Sequence, residues 1–232
     1  MDTMPGVAGR VGVRIGADRP LSASLVAEVE DCCARAEDSG GPVVLYAAGT
    51  PAGADVPEWP GDVEIHLVGK WERALRRVER LGAATVAVAD GFCTGPALEA
   101  LLVADHRVAT PEATFGLPLG AGGAWPGMVV HRLAGRLGGR ARGLVLFGDR
   151  LGAAEAHAAG LVDEVADDVA ERVAAVTRSL EGVAGPELAI RRRLLLDAAT
   201  TGFEEALGAH LASCDRELRR ERARAGLPAT AP

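Results

Sequence analysis

Three times in its first 105 residues the chain sets a short apolar run ahead of a stretch with helical periodicity. Residues 11–16 precede the stripe Leu25, Val29, Cys32 and Ala36, whose spacings of four, three and four line up on one helix face. Ser22 stands where a helix N-cap would accept a backbone N–H. Residues 43–47 form the second run. A Pro- and Gly-rich loop over 49–61 follows, then a candidate short strand over 63–67 and the stripe Trp71, Leu75, Val78 and Leu81. Glu72 lies four residues before Arg76, the spacing of a helical ion pair. Residues 84–89 form the third run. It passes through Asp90-Gly-Phe-Cys-Thr-Gly95 into a helix over 96–104, with Pro96 at the favoured first position. Strand, turn, helix, repeated, predicts an α/β core in which helices connect parallel strands.

The rest of the chain is different. Val108 and Phe115 sit in short extended pieces, and residues 117–127 read as loop. From Met128 onward the pattern is mainly helical, with residues 162–165 as the one late strand candidate. Thr201-x-x-Glu204 has capping-box spacing and opens a long helix with the stripe Phe203, Leu207, Leu211, Cys214 and Leu218. The arginines at 191–193 and 219–224 read as solvated helix faces. The expected organisation is a core over 1–185, a C-terminal helical region over 186–225 and a disordered tail over 226–232.

Composition bounds the function. A chain of 232 residues, 48% hydrophobic and 25% charged, has enough apolar surface to fold throughout. A net charge of −7 argues against a nucleic-acid binder, which needs a basic face. No stretch approaches the roughly 18 apolar residues of a membrane span, and the first ten residues have no signal-peptide core, so a cytoplasmic location is expected. Cys32, Cys33, Cys93 and Cys214 lack metal-site spacing and are expected to be reduced, and the five His are scattered, so no metal is expected.

Glu99 is the most informative residue. Its helical neighbours Gly95, Pro96, Leu102 and Val103 are all apolar. Its carboxyl either faces a pocket, where burial would raise its pKa toward a general acid or base, or bends out to solvent like most surface Glu. The glycine turn 91–95 is an ordinary strand-to-helix turn or, with its unpaired N–H groups, a seat for an oxyanion. Gly91-Phe-Cys-Thr-Gly95 also has the outline of a nucleophile elbow, with Cys93 as nucleophile and Asp149 or Asp163 and then His210 as partners. A small buried Cys is the alternative. Ala52-Gly53-Ala54-Asp55 is a small-residue turn that means little alone.

Four segments in this order resemble the crotonase (enoyl-CoA hydratase/isomerase) superfamily. Residues 52–55, AGAD, are similar to its first oxyanion loop. Residues 91–105, GFCTGPALEALLVAD, are similar to its GYxxGGGxELxxxCD segment. Residues 113–116, ATFG, are similar to AxFGxPE, and residues 146–165, LFGDRLGAAEAHAAGLVDEV, to LTGDxIxAxEAxxxGLVxxV. The resemblance spans about 11–225. It implies a spiral of ββα units with a C-terminal helical trimerisation region, giving a homotrimer or hexamer. It also implies an acyl-CoA thioester as substrate, with coenzyme A part of the substrate and no other cofactor.

By position, Glu99 matches the first catalytic glutamate. The backbone around Ala54, Gly95, Pro96 and Ala97 matches the oxyanion hole, and Phe115, Leu119 and Trp125 are expected at the substrate. Two departures stand out: the second catalytic glutamate falls on Leu119, and one expected N–H donor falls on Pro96, which has none. Short length, Gly95-Pro96 and the Ala124-Trp-Pro-Gly127 loop most resemble a subgroup of small hydratase-like members. These assist a type III polyketide synthase in forming dihydroxyphenylacetyl-CoA for antibiotic dihydroxyphenylglycine. That likeness implies the synthase and a second crotonase homologue as partners, and either a dehydratase or a catalytically impaired auxiliary subunit.

Overall fold

The computed structural model describes residues 10–51, 54–120, 122–180 and 185–226. Ala52 and Gly53 of the small-residue turn, and the tail 227–232 expected to be disordered, lie outside them. Strand β1 (Val11–Gly16) leads to helix α1 (Ala23–Ser39), then β2 (Val43–Ala48) and α2 (Ile65–Val78). Strand β3 (Thr85–Asp90) and the two-residue β4 (Phe92–Cys93) run into α3 (Gly95–Leu102), β5 (His106–Ala109) and β6 (Thr114–Gly116). Helix α4 (Met128–Leu137), a π-helical turn over Gly143–Phe147, β7 (Arg150–Gly152), α5 (Ala153–Ala158) and β8 (Glu164–Val165) follow. The chain closes with α6 (Val169–Leu180), α7 (Pro186–Ala198) and α8 (Phe203–Arg224).

Five strands form one parallel sheet in the order β1-β2-β3-β5-β8, and β4-β6-β7 form a second, small mixed sheet. Side chains alternate across the large sheet. Val43, Leu45, Ala47, Ala87 and Ala89 face the main core with α1, α2 and α3, while Val44, Val86, Val88 and Val108 pack on Val169, Val173 and Val176 of α6. The alanines matter for the site: small residues let the fully buried α3 lie close to the sheet. Helix α1 begins as expected, with Ser22 Oγ accepting from the Leu25 N–H at 3.2 Å.

Several expectations are corrected. No strand forms over 63–67. Leu67 and Val68 stand four and three residues before Trp71, so they extend its stripe and α2 starts at Ile65. Glu72 does not pair with Arg76. Arg132 of α4 takes Glu72 at 3.0 Å, and Arg76 instead reaches Glu79 at 2.8 Å, because the buried Glu79 carboxylate needs its cations more than an exposed pair does. Thr201 does not cap α8. Its N–H closes α7 on the Asp197 carbonyl at 3.0 Å, and Gly202 takes the cap position.

The arginines at 191–193 are not all solvated either. Arg192 is buried and donates to Asp105 at 2.7 and 2.6 Å, to the Ala83 carbonyl at 2.9 Å and to the Leu81 carbonyl. Asp105 also accepts from the Thr85 N–H and hydroxyl. One cation thus ties α7 to the segments that lead into β3 and β5. The α8 stripe, by contrast, is uncovered among the described residues: Phe203 is 77% and Leu211 59% exposed. Its polar side faces α7, through Arg216 on Glu187 and Arg191 on Glu217.

Arg192→Ala should lower stability by about 3 kcal/mol, because it strands a partly buried carboxylate and two carbonyls. The exposed Arg193→Ala should stay within about 0.5 kcal/mol. Urea unfolding of the two variants side by side measures the difference.

Candidate active site

Every residue of α3 is buried, and Glu99 is its only charged side chain. The Trp59 indole N–H donates to Glu99 Oε1 at 3.0 Å and the Trp71 indole N–H donates to Oε2 at 2.5 Å. The two indoles meet edge to face, with ring centroids 5.9 Å apart at 72°. Two donors on two oxygens suit an ionised carboxylate. Burial opposes ionisation and dominates. With the Glu72 charge it outweighs the Trp71 and Trp59 hydrogen bonds and the Arg132 charge, and the Glu99 carboxyl is pushed up to about 7. Both forms are therefore populated at neutral pH. Behind it, Arg132 bridges Glu72 at 3.0 Å and Glu79 at 3.1 Å, holding α4 against the helix that carries Trp71.

The first turn of α3 lies beside this carboxyl. Gly95 has φ +51°, a left-handed conformation, and a Cβ there would stand 3.4 Å from the Trp59 side chain, so only glycine fits without strain. Pro96 has no N–H, and the Leu98 N–H is spent on the Thr94 carbonyl at 3.3 Å. The N–H groups of Gly95 and Ala97 have no hydrogen-bond partner among the described residues, and neither does the buried Thr94 hydroxyl. They are the unpaired donors at the start of α3, and all three residues are buried.

The Ala54 N–H, expected as the first oxyanion donor, is engaged: it donates to the Pro51 carbonyl at 3.1 Å. Ala54 borders a cleft of about 450 Å³ with Pro51, Asp90, Gly91, Phe92, Glu112, Thr114 and Arg150. It opens where β2 and β3 end and the small sheet begins, and the Arg150 guanidinium lies 4.1 Å over the Phe92 ring.

The residues expected at the substrate are not gathered there. Phe115 has no exposed surface. It pairs with Cys93 and Leu151 in the small sheet and fills the core, because β6 turns that side inward. Leu119 is 46% exposed and rests against Gly148, and Trp125 is half-buried against the core. Neither borders the Ala54 cleft. The hydrolase alternative also fails. Cys93 is wholly buried, its thiol donates to the Ala47 carbonyl at 3.3 Å, and burial pushes it up to about 12, while His210 is exposed on α8 and Asp163 is held by Arg107 at 2.9 Å. Among the described residues no helix is long and apolar enough to cross a membrane.

The residues the sequence did not single out are Trp59, Arg132 and Arg150, and Trp71 was read only as core. A signal existed: in a chain with 3% aromatics, two of three Trp turn out to serve one carboxyl.

A family model described as enoyl-CoA hydratase/isomerase matches residues 15–214. A protein of Amycolatopsis orientalis named enoyl-CoA-hydratase is 44% identical over 216 residues, covering 92% of this chain and 98% of its own length. The (3,5-dihydroxyphenyl)acetyl-CoA 1,2-dioxygenase of the same organism is 37% identical over 111 residues, 47% of this chain and 25% of that enzyme. A crystal structure of an enoyl-CoA hydratase/isomerase family protein from Silicibacter pomeroyi superposes with a TM-score of 0.74 at 22% identity, over 90% of this chain and 95% of that one.

The Glu99 pKa has a stability consequence. A carboxyl raised from 4.5 to about 7 on folding favours the folded state fully below pH 4.5 and loses that contribution as pH rises through 7. The loss is on the order of 3 kcal/mol. Glu99→Gln should abolish this slope and cost about 1–3 kcal/mol at low pH, since its amide sets an N–H against an indole N–H. Denaturant titrations at pH 4.5 and pH 8 on both proteins read the slope directly.

Proposed function

The chain belongs to the enoyl-CoA hydratase/isomerase family, and from that premise we propose that it eliminates or adds water at an acyl-CoA thioester, with Glu99 as the single acid/base. The observation that carries this reading is the Glu99 carboxyl itself, buried, pushed up to about 7 and carried on the helix whose first turn holds the Gly95 and Ala97 N–H groups, without partners among the described residues. In a dehydration, ionised Glu99 takes the α-proton of a 3-hydroxyacyl thioester. The α3 N–H groups hold the enolate oxygen. The same carboxyl then returns the proton to the 3-hydroxyl, which leaves as water. One carboxyl suffices, so the absence of a glutamate at Leu119 is compatible with this chemistry.

The substrate we infer is a cyclised, still non-aromatic polyketide thioester, whose loss of water aromatises the ring and gives dihydroxyphenylacetyl-CoA. Support comes from the partial likeness to an enzyme named for (3,5-dihydroxyphenyl)acetyl-CoA. A type III polyketide synthase and a second homologue are the partners this implies. The uncovered apolar stripe on α8 favours a homotrimer or hexamer.

A second reading, an auxiliary subunit with little chemistry of its own, is favoured by one observation. Both Glu99 oxygens and the Ala54 N–H already have internal partners, and Pro96 removes another donor. The purified chain with 3-hydroxybutyryl-CoA separates the two readings. Turnover that Glu99→Gln lowers by about 10²–10⁴-fold supports the enzyme. No turnover alone, with faster product formation when the chain is added to the synthase, supports the auxiliary subunit. Light scattering at micromolar concentration should return a mass of three or six chains, and a monomer would remove the oligomer.

A further inference from the structure

The segment from Ala54 to Glu64 is exposed along most of its length, with Trp59 and Pro60 buried and Val63 packed partly on the core. It has no helix or strand of its own. It is tied by the Ala54 N–H on the Pro51 carbonyl at 3.1 Å and by the Leu21 N–H on the Pro60 carbonyl at 3.2 Å. Between these ties one large side chain is inserted. The Trp59 indole lies against the Cβ-less Gly95, edge to face with Trp71, and gives its N–H to Glu99 Oε1.

The two indoles are held differently. Trp71 sits on α2, 1% exposed, one turn before its core neighbours Ala74 and Leu75. Trp59, 8% exposed, packs into the same core from a loop, and its hydrogen bond to Glu99 is 3.0 Å long. Its removal would uncover Glu99 Oε1 and clear the side of Gly95 at the start of α3. A buried Thr94 hydroxyl without a partner sits at the same helix start. The seat that the indole fills is therefore flat and ends at the Glu99 carboxyl.

We propose that the Trp59 indole occupies the acyl seat of this protein and must swing out for a thioester to bind, and that the seat selects flat, unsaturated or aromatic acyl groups over flexible saturated ones. This inference rests on the acyl-CoA reading above. Trp71 stays and acts as a positioning residue for the Glu99 carboxyl. A protein whose binding-competent state is a minor one binds more weakly by the fraction that is open, so a plug open about a tenth of the time weakens binding about tenfold.

The test is calorimetric binding of cinnamoyl-CoA and butyryl-CoA to the full chain, to Trp59→Phe and to Trp59→Ala. Trp59→Phe keeps a ring in the seat and removes the N–H, so it remains informative if the alanine variant does not fold. The expected result is several-fold tighter cinnamoyl-CoA binding by Trp59→Phe, about tenfold or more by Trp59→Ala, and weaker butyryl-CoA binding throughout. Cinnamoyl-CoA should also red-shift the part of the tryptophan emission that Trp59→Phe lacks, as the indole moves into water. Equal cinnamoyl-CoA affinity in all three proteins, or unchanged Trp59 emission on binding, overturns the plug and leaves the acyl-CoA reading standing. Binding of neither thioester by any of the three overturns both.

Discussion

A carboxyl group buried between two indole N–H donors is the constraint on which the site depends. Leaving Glu99 buried without partners would cost several kcal/mol. The structure meets that cost with Trp71 from α2 and Trp59 from a loop, and with Arg132 as a charge beyond. Each requirement then propagates. Trp59 packs against Gly95, whose left-handed φ the turn into α3 requires. Helix α3 can carry a carboxylate so deep only because alanines of β2 and β3 let it sit close to the sheet. Arg132, Glu72 and Glu79 fix α4 against α2 and so fix the helix that presents Trp71.

The same arrangement sets up a tension between stability and chemistry. The indole hydrogen bonds that stabilise ionised Glu99 also occupy both of its oxygens. Burial pulls the other way and leaves the group poised near neutrality. A carboxyl so balanced is useful for proton transfer, yet reaching it requires that a partner give way. The partner with the weaker hold is the one on the loop.

The C-terminal helices show a different kind of dependence. Arg192 anchors α7 through four hydrogen bonds to Asp105, Leu81 and Ala83, while α8 reaches α7 through surface ion pairs. Surface pairs of this kind contribute little. The anchored helix thus carries a second one whose apolar stripe has no cover among the described residues.

The sequence by itself determined the alternation of strands and helices, the Ser22 cap, the strand–turn–helix over 85–102 and the position of Glu99 on an apolar helix. All of these follow from periodicity, turn chemistry and capping, which act over a few residues. Tertiary structure decided the rest, because each remaining feature joins residues far apart in the chain. Trp59 and Trp71 meet Glu99 across 40 and 28 positions. Arg192 meets Asp105 across 87, which no local pattern of arginines could distinguish from a solvated face. Thr201 and Glu204 have the spacing of a capping box, yet the end of α7 claims the threonine. Phe115 occupies a motif expected at the substrate, and the pairing of β6 with β4 and β7 turns it into the core instead. Local rules fix what a segment can become, and competition among distant partners for burial and hydrogen bonds fixes what each side chain does.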